Sequence, residues 1–198
     1  MIGRTLRRTA LLCALAALAG CGNNVHSDMP LFSAADEIGA PVLKPGVWIG
    51  EDPDCKFDES RPAADWPKCA DPVTIGPRGL KDSALEMAVD RVVAGDPVIL
   101  QLGDKSGYSY AGMEVVSRDR RGRATAVRFW PALCGPPPAV GADGAPPQKV
   151  TQHPLPGLEI RGDDCFAVDK SAAKRSVEAS KAWAETLMSV HWIAEARP

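Results

Sequence analysis

The sequence predicts an α+β domain: an antiparallel sheet built as a meander, one or two helices, a long Pro/Gly-rich loop and disulfide staples. Three observations point there. Strand-like runs follow one another between residues 98 and 130 with only short turns between them. One stretch, 170–188, spaces its apolar residues at a helical period. Gly and Pro number 18 each while aromatic residues make up only 6%, a composition suited to many turns around a modest core. Hydrophobic residues at 45% and charged residues at 24% are ordinary for a soluble globular protein, which excludes wholesale disorder, a collagen-like repeat and a polytopic membrane protein. A net charge of −2 gives no electrostatic case for nucleic acid as a partner.

Taken in order, residues 46–198 read as a single domain. Gly46 to Gly50 is a first short strand. Residues 51–72 carry Pro53, Pro62, Pro67 and Pro72 and read as loop, and Val73-Thr74-Ile75 as a further strand. Residues 84–94 place Leu85, Ala88, Val89, Val92 and Val93 at helical spacing behind Asp82 or Ser83 as a cap, so a helix is expected. A strand is the alternative, because positions 85, 87 and 89 also alternate.

The meander follows as Val98–Leu102, Tyr108–Val116 and Arg123–Trp130, the last two joined by the charged turn Arg118-Asp119-Arg120-Arg121-Gly122. Residues 135–157 hold seven prolines and four glycines, too many for packed helix or sheet. Leu158–Ile160 and Cys165–Val168 are expected to pair around Gly162-Asp163-Asp164. The helix over 170–188 has Asp169 as N-cap, Lys174/Glu178 and Lys181/Glu185 as pairs four apart, and an apolar stripe of Ala173, Val177, Ala184, Leu187 and Met188. Val190–Ile193 ends the chain as a strand.

The N-terminus reads as an address. Arg4, Arg7 and Arg8 precede a small and apolar run, Thr9 to Gly20. That run is too short for a permanent membrane span, which needs roughly 20 residues, but right for the apolar region of a signal peptide. It closes on Leu18-Ala19-Gly20-Cys21, which resembles the lipobox of bacterial lipoproteins. The resemblance implies a signal peptide at 1–20, cleavage between Gly20 and Cys21, and a diacylglyceryl thioether and acylated amine on Cys21. Several acyl chains, at about 0.8 kcal/mol per buried CH₂, anchor far more durably than one. The expected partner is therefore a membrane, reached through the lipid on Cys21. Gly22 and Asn23 stand where such proteins commonly carry an Asp that retains them at the inner membrane. The resemblance thus implies the bacterial cell envelope, at the outer membrane and facing the periplasm. Residues 21–45, with Pro30, Pro41 and Pro45, are expected to be the lipidated N-terminus and a tether, with Leu31-Phe32 docking on the body.

Removing residues 1–20 takes three arginines and no acids, leaving 20 basic and 25 acidic side chains. With Cys13 removed and Cys21 lipidated, Cys55, Cys69, Cys134 and Cys165 remain. An even number in an exported chain reads as two disulfides. Three connectivities are possible, and Cys55–Cys69 with Cys134–Cys165 is preferred because each pair brackets one loop-rich segment. Zinc is disfavoured by the lack of a Cys-x-x-Cys pair and of histidine at ligand spacing.

Other clusters give less. No Gly-x-Ser-x-Gly elbow or His-Glu-x-x-His helix occurs, and Gly103-Asp104-Lys105-Ser106 lacks the upstream spacing of a phosphate-binding loop. His191 would need an acid such as Asp163 or Asp164 to act as a catalytic base. Glu51, Asp52, Asp54, Asp58 and Glu59 read as a solvated acidic loop, since Lys56 interrupts them and the spacing is not that of a calcium loop. Arg118, Arg120, Arg121 and Arg123 read as an exposed turn. No metal, cofactor or catalytic residue is expected.

Gly46-Val47-Trp48 on the first strand is similar to the Gly-x-Trp signature of lipocalin-like barrels, some of which are outer-membrane lipoproteins. A late helix followed by a short strand fits as well, although that family's Thr-Asp signature is missing. The resemblance implies a barrel with an apolar cavity lined by Trp48 and Val98–Leu102, under a lid formed by 135–157. Two functions follow as expectations. The first is a non-catalytic accessory or interaction module of the envelope, with a protein partner the sequence does not identify. The alternative is a carrier of lipid or another small apolar ligand.

Overall fold

Alternation in Val98-Ile99-Leu100-Gln101-Leu102 sends 98, 100 and 102 to one face and 99 and 101 to the other, and both faces are buried. That double burial organises the molecule, seen in a computed structural model that describes residues 23–52, 54–83, 88–137, 150–183 and 187–195. The strands are β1 (Val25–Ser27), β2 (Gly46–Gly50), β3 (Val73–Gly76), β4 (Gly79–Ser83), β5 (Ala88–Val93), β6 (Val98–Asp104), β7 (Gly107–Arg118), β8 (Ala124–Pro131), β9 (Leu158–Arg161), β10 (Asp164–Ala167) and β11 (Met188–Ala194). Among the described residues the α-helix is α1 (Lys170–Ser180), and short 3₁₀ turns occupy Ala34–Glu37, Ala63–Asp65 and Lys68–Ala70.

The strands form one sheet in the order β4-β3-β2-β11-β8-β7-β1-β10-β9, with β6 on the other edge of β7 and β5 beyond it. All pairings are antiparallel except β1 with β10, which is parallel. The predicted α+β class and antiparallel meander are therefore correct, and the sheet is mixed. β4 and β5 touch where the arc of strands comes round, but no ladder joins them among the described residues. The sheet is curled without being closed, which departs from the barrel that the Gly-x-Trp resemblance implied.

On the concave face, Leu43, Trp48, Ile75, Leu80, Val98, Leu100, Leu102, Met113 and Val127 make one core. Gly46 is required at its rim: φ is +137°, and a Cβ would run into the Ala194 carbonyl and the Trp192 indole. Trp48 and Trp192 lie opposite each other across β2 and β11. Their indole N–H groups donate to the carbonyls of Lys44 and Pro45 at 2.8 and 3.0 Å, so neither ring leaves an unpaired donor.

A second core lies on the convex face, where Val25, Phe32, Ile99, Tyr110, Trp130, Cys134, Cys165, Ala173 and Val177 meet under α1 and the β9–β10 hairpin. Gly112 lets the Trp130 ring lie directly on β7, where a Cβ would collide with it. Trp130 Nε1 donates to Val177 O of α1 at 2.8 Å. The helix starts at Asp169, whose carboxylate accepts from Ala172 N at 2.7 Å as the N-cap.

Three expectations need correction. Within 84–94 the described part, 88–93, is strand β5 rather than helix. A bulge between Val89 and Arg91 turns both Val89 and Val92 toward the concave core, which mimics helical spacing. The helix expected over 170–188 stops at Ser180, and Met188 already belongs to β11. Lys181 pairs with Glu114 at 2.9 Å, so the chain turns off where its pattern still ran on. Finally, the stretch expected as tether joins the body from Asn23 onward: Val25 is fully buried, and β1 sits between β7 and β10. Strand β4 was not anticipated.

Candidate functional site

Among the expected site residues, Gly20 and Cys21 lie outside the described residues, as does most of the Pro/Gly-rich loop. Asn23 is the first described residue, and its surroundings are closely built. Asn23 is buried although Asn belongs at surfaces and turns, and its hydrogen bonds explain why. Its carbonyl accepts from Cys134 N at 2.7 Å. Its side chain donates Nδ2–H to Gly135 O at 3.2 Å and accepts Thr151 N–H on Oδ1 at 3.0 Å. Val25 N donates to Ala132 O at 2.9 Å, and Leu155 N to Cys134 O at 2.8 Å. A buried amide with both ends satisfied adds stability, whereas unmet groups there would cost roughly 1–3 kcal/mol each.

Covalent and helical contacts hold the same corner. Cys134 is bonded to Cys165, with Cα atoms 5.9 Å apart, and Cys165 lies opposite Val25 in the β1–β10 ladder. Leu133 N donates to Ser180 Oγ at 2.7 Å, and Leu133 O accepts from Ser176 Oγ at 2.8 Å. The second disulfide, Cys55–Cys69, closes the loop after β2, with Cα atoms 5.7 Å apart. The preferred connectivity is the one present. Cys69 is exposed and Cys55 partly so, whereas Cys134 and Cys165 are wholly buried.

The remaining candidates are scattered. His191 Nε2 stands 3.6 Å from Glu59. Asp163 and Asp164 lie at and beside the β9–β10 turn, with β10 four positions along the sheet from β11. At about 4.8 Å per strand, that separation is on the order of 19 Å, so the structure does not assemble the His191 dyad considered from sequence. His26 stacks obliquely near Phe166. In the acidic loop, Asp52 accepts from Asp54 N, and Asp58 accepts from Ser60 N and Oγ. The Ser60 hydrogen bonds hold the Asp58 pKa below the ordinary carboxylate range. These carboxylates serve the turns that contain them. No group of three or more His, Cys, Asp or Glu able to hold a metal occurs among the described residues.

The arginine turn is partly self-contained. Asp119 accepts from Arg121 N, Arg123 N and Arg123 Nε, and Arg118 Nη1 donates to Gly122 O. Trp48 and the Val98–Leu102 strand, expected as cavity lining, are packed into the concave core. Among the described residues, no helix is long and apolar enough to cross a membrane.

A polar strap that the sequence did not reveal fastens residues 31–37. Gln101, fully buried, accepts on Oε1 from Leu31 N and Phe32 N and donates from Nε2 to Asp90. Burial opposes ionisation of Glu37, but hydrogen bonds from Lys81 and Arg91 outweigh it and lower its pKa. Asp36 is driven well below the usual carboxylate range by Lys170 and Ser33. The one trace of this in the sequence is the Gln amid Val98–Leu102, a polar residue in an apolar strand.

Set beside protein-family models, curated proteins and solved structures, the chain matches none of them.

Proposed function

We propose that this protein is a lipid-anchored lipoprotein of the bacterial envelope whose folded body is a non-catalytic accessory or interaction module. The observation that carries the proposal is the N-terminal pattern itself: Arg4, Arg7 and Arg8, a twelve-residue apolar run, and Leu18-Ala19-Gly20-Cys21. Supporting it, all four cysteines beyond Cys21 are paired in disulfides, a state favoured in oxidising compartments outside the cytoplasm. Cleavage before Cys21 also leaves every described strand in the mature chain. A carrier of apolar ligands is the less favoured reading, because Trp48, Leu100, Met113 and Val127 fill the concave face that would receive a ligand.

The test is Cys21→Ser in the full chain, expressed in a bacterium that exports it. The unaltered protein is expected in the membrane fraction, with an intact mass carrying acyl chains, and the variant in the soluble fraction without them. A Cys21→Ser protein that stays in the membrane fraction would overturn the lipoprotein assignment.

A further inference from the structure

Strand β9 ends the sheet, and among the described residues no strand pairs with its outer edge. The ladder on its inner side tells which groups point out of that edge. Val168 N donates to Gly157 O at 3.1 Å. Hydrogen-bonded and non-hydrogen-bonded pairs alternate in an antiparallel ladder, so Glu159 with Phe166 and Arg161 with Asp164 exchange bonds across β9 and β10. Leu158 and Ile160 therefore turn their N–H and C=O groups outward. Leu158 N is already taken by Leu155 O. Ile160 offers a donor and an acceptor to whatever lies alongside, and Leu158 an acceptor.

The side chains of that edge suit one occupant, a second copy of this chain. Val25, Cys165 and Ile160 stand in one row across β1, β10 and β9, with relative exposures of 0%, 0% and 41%. The apolar row of the convex core thus runs out on a residue left partly in water. On the other face of β9, Glu159 and Arg161 are both exposed and carry opposite charges two positions apart. Like charges there would hold a second such edge off. Opposite charges are self-complementary if the second edge runs antiparallel: Glu159 then stands opposite Arg161 of the other copy, and Arg161 opposite its Glu159. A parallel arrangement would set like charges side by side, which is unfavourable. From this we infer that the body self-associates through β9, two copies meeting edge to edge on a two-fold axis at Ile160. Each Ile160 N–H donates to the other Ile160 carbonyl, and Gly162 N–H to the other Leu158 carbonyl, while the Ile160 side chains close the apolar row. Arg161 keeps Asp28, at 2.9 Å, and exchanges its own Glu159 for that of the second copy. So short a contact falls below the roughly 1,200 Å² of a standard stable interface; it is weak in dilute solution and gains where copies are crowded together. The inference goes beyond the lipoprotein assignment and uses no part of it.

The test uses the full chain in a bacterium that exports it, treated with a short bismaleimide that joins neighbouring thiols. Ile160→Cys is compared with Val116→Cys, a position of similar exposure (49%) on β7, and with the unaltered chain. At least fivefold more covalent homodimer is expected from 160 than from 116. Adding Glu159→Arg to Ile160→Cys sets Arg against Arg and should cut the yield several-fold. Adding Arg161→Glu as well reverses both charges and should restore it, a recovery that a merely structural role for either residue would not give. Equal yields at 160 and 116, a charge reversal without effect, or adducts at 160 with other proteins only would each overturn self-association through β9. The presence or absence of acyl mass on the same chains bears on the lipoprotein assignment alone, so the two readings fail separately.

Discussion

The two disulfides of this protein close loops of similar kind in unlike surroundings. Cys55–Cys69 spans 14 positions over a segment of short 3₁₀ turns at the surface, where Phe57 and Trp66 pack on each other. Cys134–Cys165 spans 31 positions and lies wholly inside the convex core, beside β1, the end of β8 and the helix. In the chain-entropy picture they differ little, contributing about 3.0 and 3.7 kcal/mol respectively. What separates them is what else depends on the bond. The first secures a loop, and the second secures the corner where Asn23 and β1 are held.

Breaking each bond would sharpen that contrast. The double variant Cys134→Ala/Cys165→Ala is expected to lose the most, about 4 kcal/mol or more, because the cavity adds to the entropic loss. Equilibrium denaturation in urea measures it. Cys55→Ser/Cys69→Ser should lose no more than about 3 kcal/mol, with faster amide exchange confined to residues 51–70 and protection of β7 and β8 retained. Loss of protection across β7 in this second variant would erase the distinction. Next in size, Asn23→Ala strands the Gly135 carbonyl and the Thr151 amide and should cost about 2 kcal/mol.

The smallest effect is on pH. Asp36 and Glu37 have folded pKa values below their ordinary ones, so the unfolded chain binds more protons as acidity rises. Their contribution is complete above about pH 5 and is lost as pH falls through the carboxylate range toward the folded values. Amide exchange at Ser33–Glu37 should therefore quicken between about pH 5 and pH 3, before exchange in the concave core does. Replacing Lys170 with Met should weaken that pH response at Asp36 and leave the part that the Ser33 hydrogen bonds supply.

How much of this was legible in the sequence depended on whether a residue's partner was near it in the chain. The hairpins β6–β7 and β7–β8 were readable because Gly103-Asp104 and Arg118–Gly122 mark turns between alternating runs. Asp169 was readable as a cap because it bonds to a group three residues on. Residues 88–93 misled because a bulge at Asp90 superposes helical spacing on a strand. The end of α1 misled because Leu187 stays apolar for the sake of the convex core, not for a helix. β1 was invisible: Val25-His26-Ser27 is too short to show a period, and its partners are Tyr108, Ser109, Cys165 and Phe166. At the candidate site, the four disulfide cysteines announce themselves by residue type. Asn23 looks like linker until Gly135 and Thr151, 112 and 128 positions away, are folded against it.

The placement of β1 also sets an order of events. The first described residues of the chain form an inner strand of the finished sheet, so the seat of Val25 does not exist until β7 and then β10 have been made. In chain order β7 begins 80 positions after Ser27 and β10 begins 137 positions after it, so Val25–Ser27 wait that long for their two partners. Once β10 arrives, the parallel ladder and the Cys134–Cys165 bond shut them away. Strand β1 is thereby completed late by topology alone, because both of its partners lie far along the chain and non-local pairing of this kind is slow.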